Sequence, residues 1–340
     1  MTDNGFLKIL STGVLLSVQT VLPLLVRYSR VRHTDHMFLA TAAVVVNETL
    51  KLLICLSALL IIEKDFWKLS RSMYDALWGQ PLETLKVCVP ALLFTLQNNL
   101  YFVALSNLEP STYLVTYQLR ILTTAVFFVW LLKRSLSTVQ WFSLVLLTCG
   151  VTVVQLQEQQ GSPKSDSSST NVIQHKALGF LAVLTMCLTS GFGSAYFEKV
   201  LKGSATSIWM QNIRLSLIGI PMSVVGMLLQ DWGRLISGGG LLQGFDWLVW
   251  LLTLFNAVGG LAIASVIKYA DNILKVYVQA AAIILACLGS SLLFHFQPSS
   301  SFFVGAALVI ISLYIHAKYP PSPPQPSPKK PSSPQPTVRS

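Results

Sequence analysis

Apolar runs of about twenty residues recur roughly every thirty residues along this chain, and a run of that length crosses a bilayer as a helix. Ten spans are expected, near 5–26, 37–62, 86–106, 110–132, 138–155, 178–197, 208–229, 246–267, 273–294 and 301–317. The composition agrees. Of 340 residues, 53% are hydrophobic and 11% charged, a balance that does not suit a soluble domain. The expected fold class is an all-α membrane protein of about ten transmembrane helices. The first span is followed by Arg27, Arg30 and Arg32 rather than by a small-residue cleavage site, so it reads as a span and not as a leader.

The clearest break is the polar, serine-rich stretch 156–177, read as a flexible loop. It separates a first half, 1–155, from a second, 178–318, with five spans in each. An odd number of spans per half forces the two halves into opposite orientations, and transporters built this way place their substrate site at the repeat interface. Asn98–Tyr113 (NNLYFVALSNLEPSTY) and Gly259–Leu274 (GGLAIASVIKYADNIL) are faintly alike. Each is a small-residue helix, then a short polar break, then another span. The tail, 319–340, is proline-rich and expected to be extended and disordered. With both termini in the cytosol, that side carries thirteen Lys and Arg: 64, 68, 71, 86, 133, 134, 199, 202, 268, 318, 329, 330 and 339. The other side carries six: 27, 30, 32, 164, 176 and 234. The positive-inside rule favours this orientation, although Arg27–Arg32 opposes it locally.

Within the spans the cations carry the most information. Tyr113, Tyr117 and Arg120 fall at i, i+4 and i+7 and share one helical face. An arginine at mid-membrane costs at least a few kcal/mol unless it meets a cavity or a partner. Arg120, Arg214 and Lys275 all lie in or at the ends of spans. Glu48 and Lys51, at i and i+3, are placed to neutralise one another, and Asp271 is placed to satisfy part of Lys275. The remaining positive charge suits a phosphate or pyrophosphate, and the tyrosines and Gln97–Asn99 offer stacking and amide contacts for a base or sugar. The bland alternative is an arginine satisfied by carbonyls within the bundle. The small residues Ser190, Gly191, Gly193 and Ser194 read first as close helix packing, with backbone approach by a ligand compatible.

Other functions find little support. There is no His-Glu-x-x-His, Gly-x-Ser-x-Gly or Walker lysine loop, which argues against an enzyme or an ATP-driven pump. No cofactor or metal site is expected. The net charge of +10 is spread over loops, with no basic domain outside the membrane to hold nucleic acid, so lipid headgroups are its natural partners. Cys55, Cys88, Cys149, Cys187 and Cys287 fall in or beside spans without metal-ligand spacing, and each reads as a packing residue. A cation or drug exporter would need buried acids, whereas here the buried excess is positive.

Several motifs resemble the nucleotide-sugar transporters: Leu96–Leu100 (LQNNL), Ala104–Leu108 (ALSNL), Val115–Leu119 (VTYQL), Tyr196–Lys199 (YFEK) and Lys268–Lys275 (KYADNILK). The resemblance runs from about Val26 through the tenth span. It is strongest to the branch of the UDP-galactose, UDP-N-acetylglucosamine and CMP-sialic acid carriers in the drug/metabolite transporter superfamily. It implies a Golgi or ER antiporter that exchanges a cytosolic nucleotide sugar for lumenal nucleoside monophosphate. It implies further that Asn98, Tyr113, Arg120, Asn212 and Lys275 line a central cavity, with Arg120 and Lys275 on phosphate. Tyr117 and Ser216 join that set, and the small Ser190–Ser194 face, Ser190 and Gly191 foremost, would lie near the nucleotide. Arg120 stands where the family usually has lysine, Leu114 where glutamine is common, and Val276 where glycine is common. Ile121–Thr124, Lys268–Lys275 and the small Ser216 look more like the UDP-sugar carriers. The expected cargo is therefore UDP-N-acetylglucosamine or UDP-galactose against UMP, with CMP-sialic acid against CMP as the alternative. A non-transporting scaffold of the same fold, binding a glycosyltransferase, is the other class, and a homodimer is compatible with either.

Overall fold

The computed structural model describes residues 3–31, 38–160, 175–204, 206–237, 240–294 and 299–319, and these are helical apart from short connections. The long helices are α1 (Asp3–Val31), α2 (Ala40–Glu63), α4 (Pro81–Asn107), α7 (Thr138–Gln160) and α8 (Lys176–Gly203), followed by α9 (Ile208–Ser237), α10 (Trp247–Tyr269), α11 (Asn272–Phe294) and α12 (Ser300–Lys318). The expected fourth span is two helices, α5 (Pro110–Tyr117) and α6 (Leu119–Leu132). Among the described residues, nine segments are long and apolar enough to cross a membrane, with α5 and α6 counted together. The remaining expected span, the third, is α4, which has 27 residues but carries Glu83, Lys86 and the polar run Gln97–Asn99. It begins five residues earlier than the apolar run indicates, because Pro81 stands in the first turn of the helix and fits there without losing a hydrogen bond. Most of the 156–177 loop and all but one residue of the 319–340 tail lie outside the described residues.

One helix was not expected. The stretch after the second span, outside all ten expected spans, contains α3 (Phe66–Leu77). Asp65 caps it by accepting from the Trp67 amide at 2.9 Å. Leu69 and Ala76 are buried at i and i+7, while Trp67, Tyr74 and Trp78 are exposed. Its far end is tied down by Arg214 of α9, whose Nη2 donates to the Ala76 carbonyl at 2.5 Å.

The helices pair in a regular scheme: α1 with α10 and α11, α2 with α9 and α10, α4 with α8 and α9, α6 with α8, and α7 with α12. Exchanging each long helix with the one five spans along, and treating α5 and α6 as one, maps this scheme onto itself. The α7–α12 pair crosses at Gly150 and Gly305. A Cβ on either would lie 2.9 Å from the other's carbonyl oxygen. The two short polar breaks sit at opposite ends of α8. Asn107 and Leu108 touch Gly179, whereas Ala270 and Asn272 bond to Lys202, Glu198 and Ser194. From Gly179 to Glu198 is about 28 Å of helix, close to the thickness of a bilayer core.

Candidate functional site

The site forms where the fourth span breaks. At Gln118 the backbone tightens to i→i+3 bonds: the Gln118 amide donates to Val115 O at 3.2 Å and the Ile121 amide to Gln118 O at 3.0 Å. Two neighbouring helices hold the break. Gln118 is 2% exposed and donates through Nε2 to Gln155 Oε1 of α7. Cys187 of α8 donates from Sγ to Thr116 O and Tyr117 O, each at 3.6 Å, and its own carbonyl accepts from Thr123 Oγ1 at 2.8 Å. The expected packing role of Cys187 is therefore specific: it caps carbonyls freed by the break.

Despite the break, the cationic stripe is continuous. The Tyr113 and Tyr117 rings stack at 5.4 Å with 14° between planes, and Tyr101 meets Tyr113 edge-on at 5.5 Å. The Arg120 guanidinium lies over the Tyr117 ring, 4.6 Å from its centroid. Beyond it a cavity of about 50 Å³ is lined by Gln118, Arg120, Thr124, Ser190, Ser194, Lys275 and Gln279, with apolar walls from Ile121, Val151, Val276, Ala280 and Ile283. Among the described residues neither Arg120 nor Lys275 is in an ion pair. The expected Asp271 partner is engaged elsewhere, its Oδ1 accepting from the Leu274 amide at 2.7 Å. Two cations thus face one cavity with no carboxylate on its wall, which suits an anion carrying two phosphates.

The other expected residues divide. Ser190 lines the cavity. Gly191 does not; a Cβ there would sit 2.8 Å from the Thr123 carbonyl carbon, so this glycine lets α8 press against α6. Asn212 and Ser216 are buried on α9, 1% and 0% exposed, and neither lines the cavity. Asn212 donates to Ile208 O of its own helix, and the Ser216 hydroxyl has no partner among the described residues. Arg214 follows the bland alternative: 0% exposed, it donates to the Ala76 carbonyl and reaches Gln211 Oε1 at 3.4 Å. Glu48 and Lys51 pair as expected, at 2.7 Å. The Asn98 side chain lies outside the described residues. Ser194, at the end of the expected small-residue face, lines the cavity with Ser190, whereas Gln118, Thr124 and Gln279 were not placed at the site by the sequence. Their one signal was polarity within apolar runs, and it did not say which neighbour they would face.

Comparison with known proteins identifies the family. A family model described as "Nucleotide-sugar transporter" matches residues 3–317. The UDP-galactose/UDP-N-acetylglucosamine transporter srf-3 of Caenorhabditis elegans is 44% identical over 297 residues, 87% of this chain and 78% of that protein. The UDP-N-acetylglucosamine transporter of Homo sapiens is 43% identical over 324 residues, 93% of this chain and 97% of that one. The UDP-galactose translocator of Mus musculus is 43% identical over 312 residues, 92% and 78% of the two chains. A crystal structure at 14% identity shares the fold, with a TM-score of 0.59 over 92% of this chain and 96% of its own. A family match across almost the whole sequence, on a helical bundle with two unpaired cations in one cavity, makes this chain a member of the nucleotide-sugar transporter family.

Proposed function

We propose that the protein exchanges a UDP-sugar, UDP-N-acetylglucosamine or UDP-galactose, for UMP across a Golgi membrane by alternating access, with both termini cytosolic. The observation that carries this reading is the pair Arg120 and Lys275, facing one cavity without a carboxylate partner. UMP and a UDP-sugar share the phosphate that this pair would hold, so both compete for one site and exchange follows. Tyr113 and Tyr117 continue the stripe beyond Arg120, outside the cavity wall, and would meet the base only once the helices part, while Ser190, Ser194 and Gln279 offer hydrogen bonds at the cavity. The self-mapping helix pairing and the two breaks at opposite ends of α8 support two inverted halves, 1–155 and 178–318. At about 50 Å³ the cavity holds one or two waters, whereas ligand pockets run to roughly 300–1,000 Å³, so helices must part for the ligand to enter. The relatives named for UDP-sugars support the choice of cargo.

The test is uptake of labelled nucleotide sugars into proteoliposomes preloaded with UMP or CMP. UMP-dependent uptake of a UDP-sugar is the expected result. Uptake that needs CMP instead would move the cargo to CMP-sialic acid. No exchange by folded protein would turn the reading to a scaffold that binds a glycosyltransferase.

A further inference from the structure

We infer that Glu198 and Lys202 form a latch that holds α11, and Lys275 with it, against α8 and shuts the cavity at that end. The purpose of the latch rests on the transport reading above; its existence does not.

Glu198 is fully buried, and each of its oxygens is used. Oε1 accepts from Lys202 Nζ at 2.5 Å, and Oε2 accepts from the Asn272 amide at 3.0 Å, in the first turn of α11. The carboxylate therefore sits at the positive end of the helix that carries Lys275 one turn further on. Lys202 also donates to Ala270 O at 2.5 Å, at the last turn of α10. Asn272 completes the set, its Nδ2 donating to Ser194 Oγ at 2.9 Å, and Ser194 lines the cavity. Two residues of α8 thus hold both sides of the α10–α11 elbow.

The rest of the contact is what makes this a latch. Among the described residues no apolar core cluster contains residues of both α8 and α11. Apolar packing joins α11 to α6, α7 and α12 through Ile273, Tyr277, Ala280 and Ile284, and joins α8 to α9 and α10 through Phe197 and Leu201. The α8–α11 seam is polar and can part without exposing a packed core. The opposite end differs. There the α4–α5 break meets α8 through Leu108, Ala104, Ala182 and Val183, an apolar contact with one bond from the His175 amide to Asn107 Oδ1. Neither Glu198 nor Lys202 lines the cavity, so they are positioning residues that act through Asn272 and Lys275.

The test measures distance between spin labels at Lys199→Cys on α8 and Leu274→Cys on α11, in the purified full chain with Cys187 replaced by serine and the other four native cysteines by alanine. Glu198→Gln should raise the ratio of long to short distances about tenfold, within the usual range of a coupling between two states. UMP should still shift the melting temperature of the variant, while exchange slows. A folded Glu198→Gln protein with the unsubstituted distance distribution overturns the latch. Should that variant fail to fold, Glu198→Gln/Lys202→Met removes both charges together and is held to the same criterion. The distance measurement needs no cargo. A parent protein that exchanges nothing, with the shift present in the variant, keeps the latch and discards the transport reading.

Discussion

At the scale of single residues, charge and volume make separate demands. A charge-assisted hydrogen bond contributes about 1.5–3 kcal/mol, so Arg120→Ala and Lys275→Ala should each weaken UMP binding roughly ten- to hundredfold with the fold intact. Both losses are measurable by competition against labelled ligand. Arg120→Lys should lose less than Arg120→Ala, because it keeps the charge but gives up the planar group stacked on Tyr117. Gly191 tests volume. A side chain there meets the Thr123 backbone and the Thr124 amide, which cannot swing aside as a flexible side chain would. Gly191→Val should therefore cost about 1–3 kcal/mol of stability through overpacking, read as a lower melting temperature in detergent. The stripe of Tyr113, Tyr117 and Arg120 was legible because helical spacing fixes a shared face. The different fates of Ser190 and Gly191 were not, since adjacent residues point about 100° apart and only the neighbouring helices decide which side holds the cavity.

At the scale of elements, the informative features are those with no punctuation in the sequence. Val115–Leu119 contains neither glycine nor proline, yet the helix breaks at Gln118, because Cys187 meets the Thr116 and Tyr117 carbonyls and Gln155 holds the Gln118 side chain. Replacing Gln155 with leucine should remove one of those partners and leave the buried Gln118 amide unsatisfied, at a cost of about 1–3 kcal/mol. Thermal unfolding with and without UMP checks this, and the UMP-induced shift should shrink as Arg120 loses its fixed position. Leu69, Met73 and Ala76, at i, i+4 and i+7, give α3 a readable apolar face, but at 12 residues it is too short to stand out beside apolar runs of about twenty. Its attachment could not be read from sequence, because Arg214 lies 138 residues from the carbonyl it bonds. In Arg214→Met, amide hydrogen exchange across 66–78 should quicken while α9 stays protected.

At the scale of the whole molecule, the two breaks face opposite ends of α8, and the proposed exchange has them part in turn. A cross-link across either end should arrest the cycle. Asn107 and Gly179 suit this purpose: a Cβ at 179 would lie 3.0 Å from the Asn107 Cβ, near the usual disulfide separation of about 3.5–4.5 Å. The double variant Asn107→Cys/Gly179→Cys should lose UMP exchange on oxidation and regain it on reduction. Continued exchange by the oxidised protein would mean that this end does not open.

The amino-acid sequence alone carries the approximate limits of the spans, the dominance of helix and the presence of buried cations, because each follows from hydropathy and spacing along the chain. It also determined the Glu48–Lys51 pair, whose partners are one helical turn apart. Which cations face a cavity depends on packing in three dimensions. Arg214 and Arg120 are alike in sequence, each a lone arginine in an apolar span. One donates to a carbonyl from α3, and the other faces Lys275 across a cavity walled by α6, α8 and α11. The distinction depends on groups that are distant in the chain and adjacent in the bundle, and periodicity along a single helix carries no record of them.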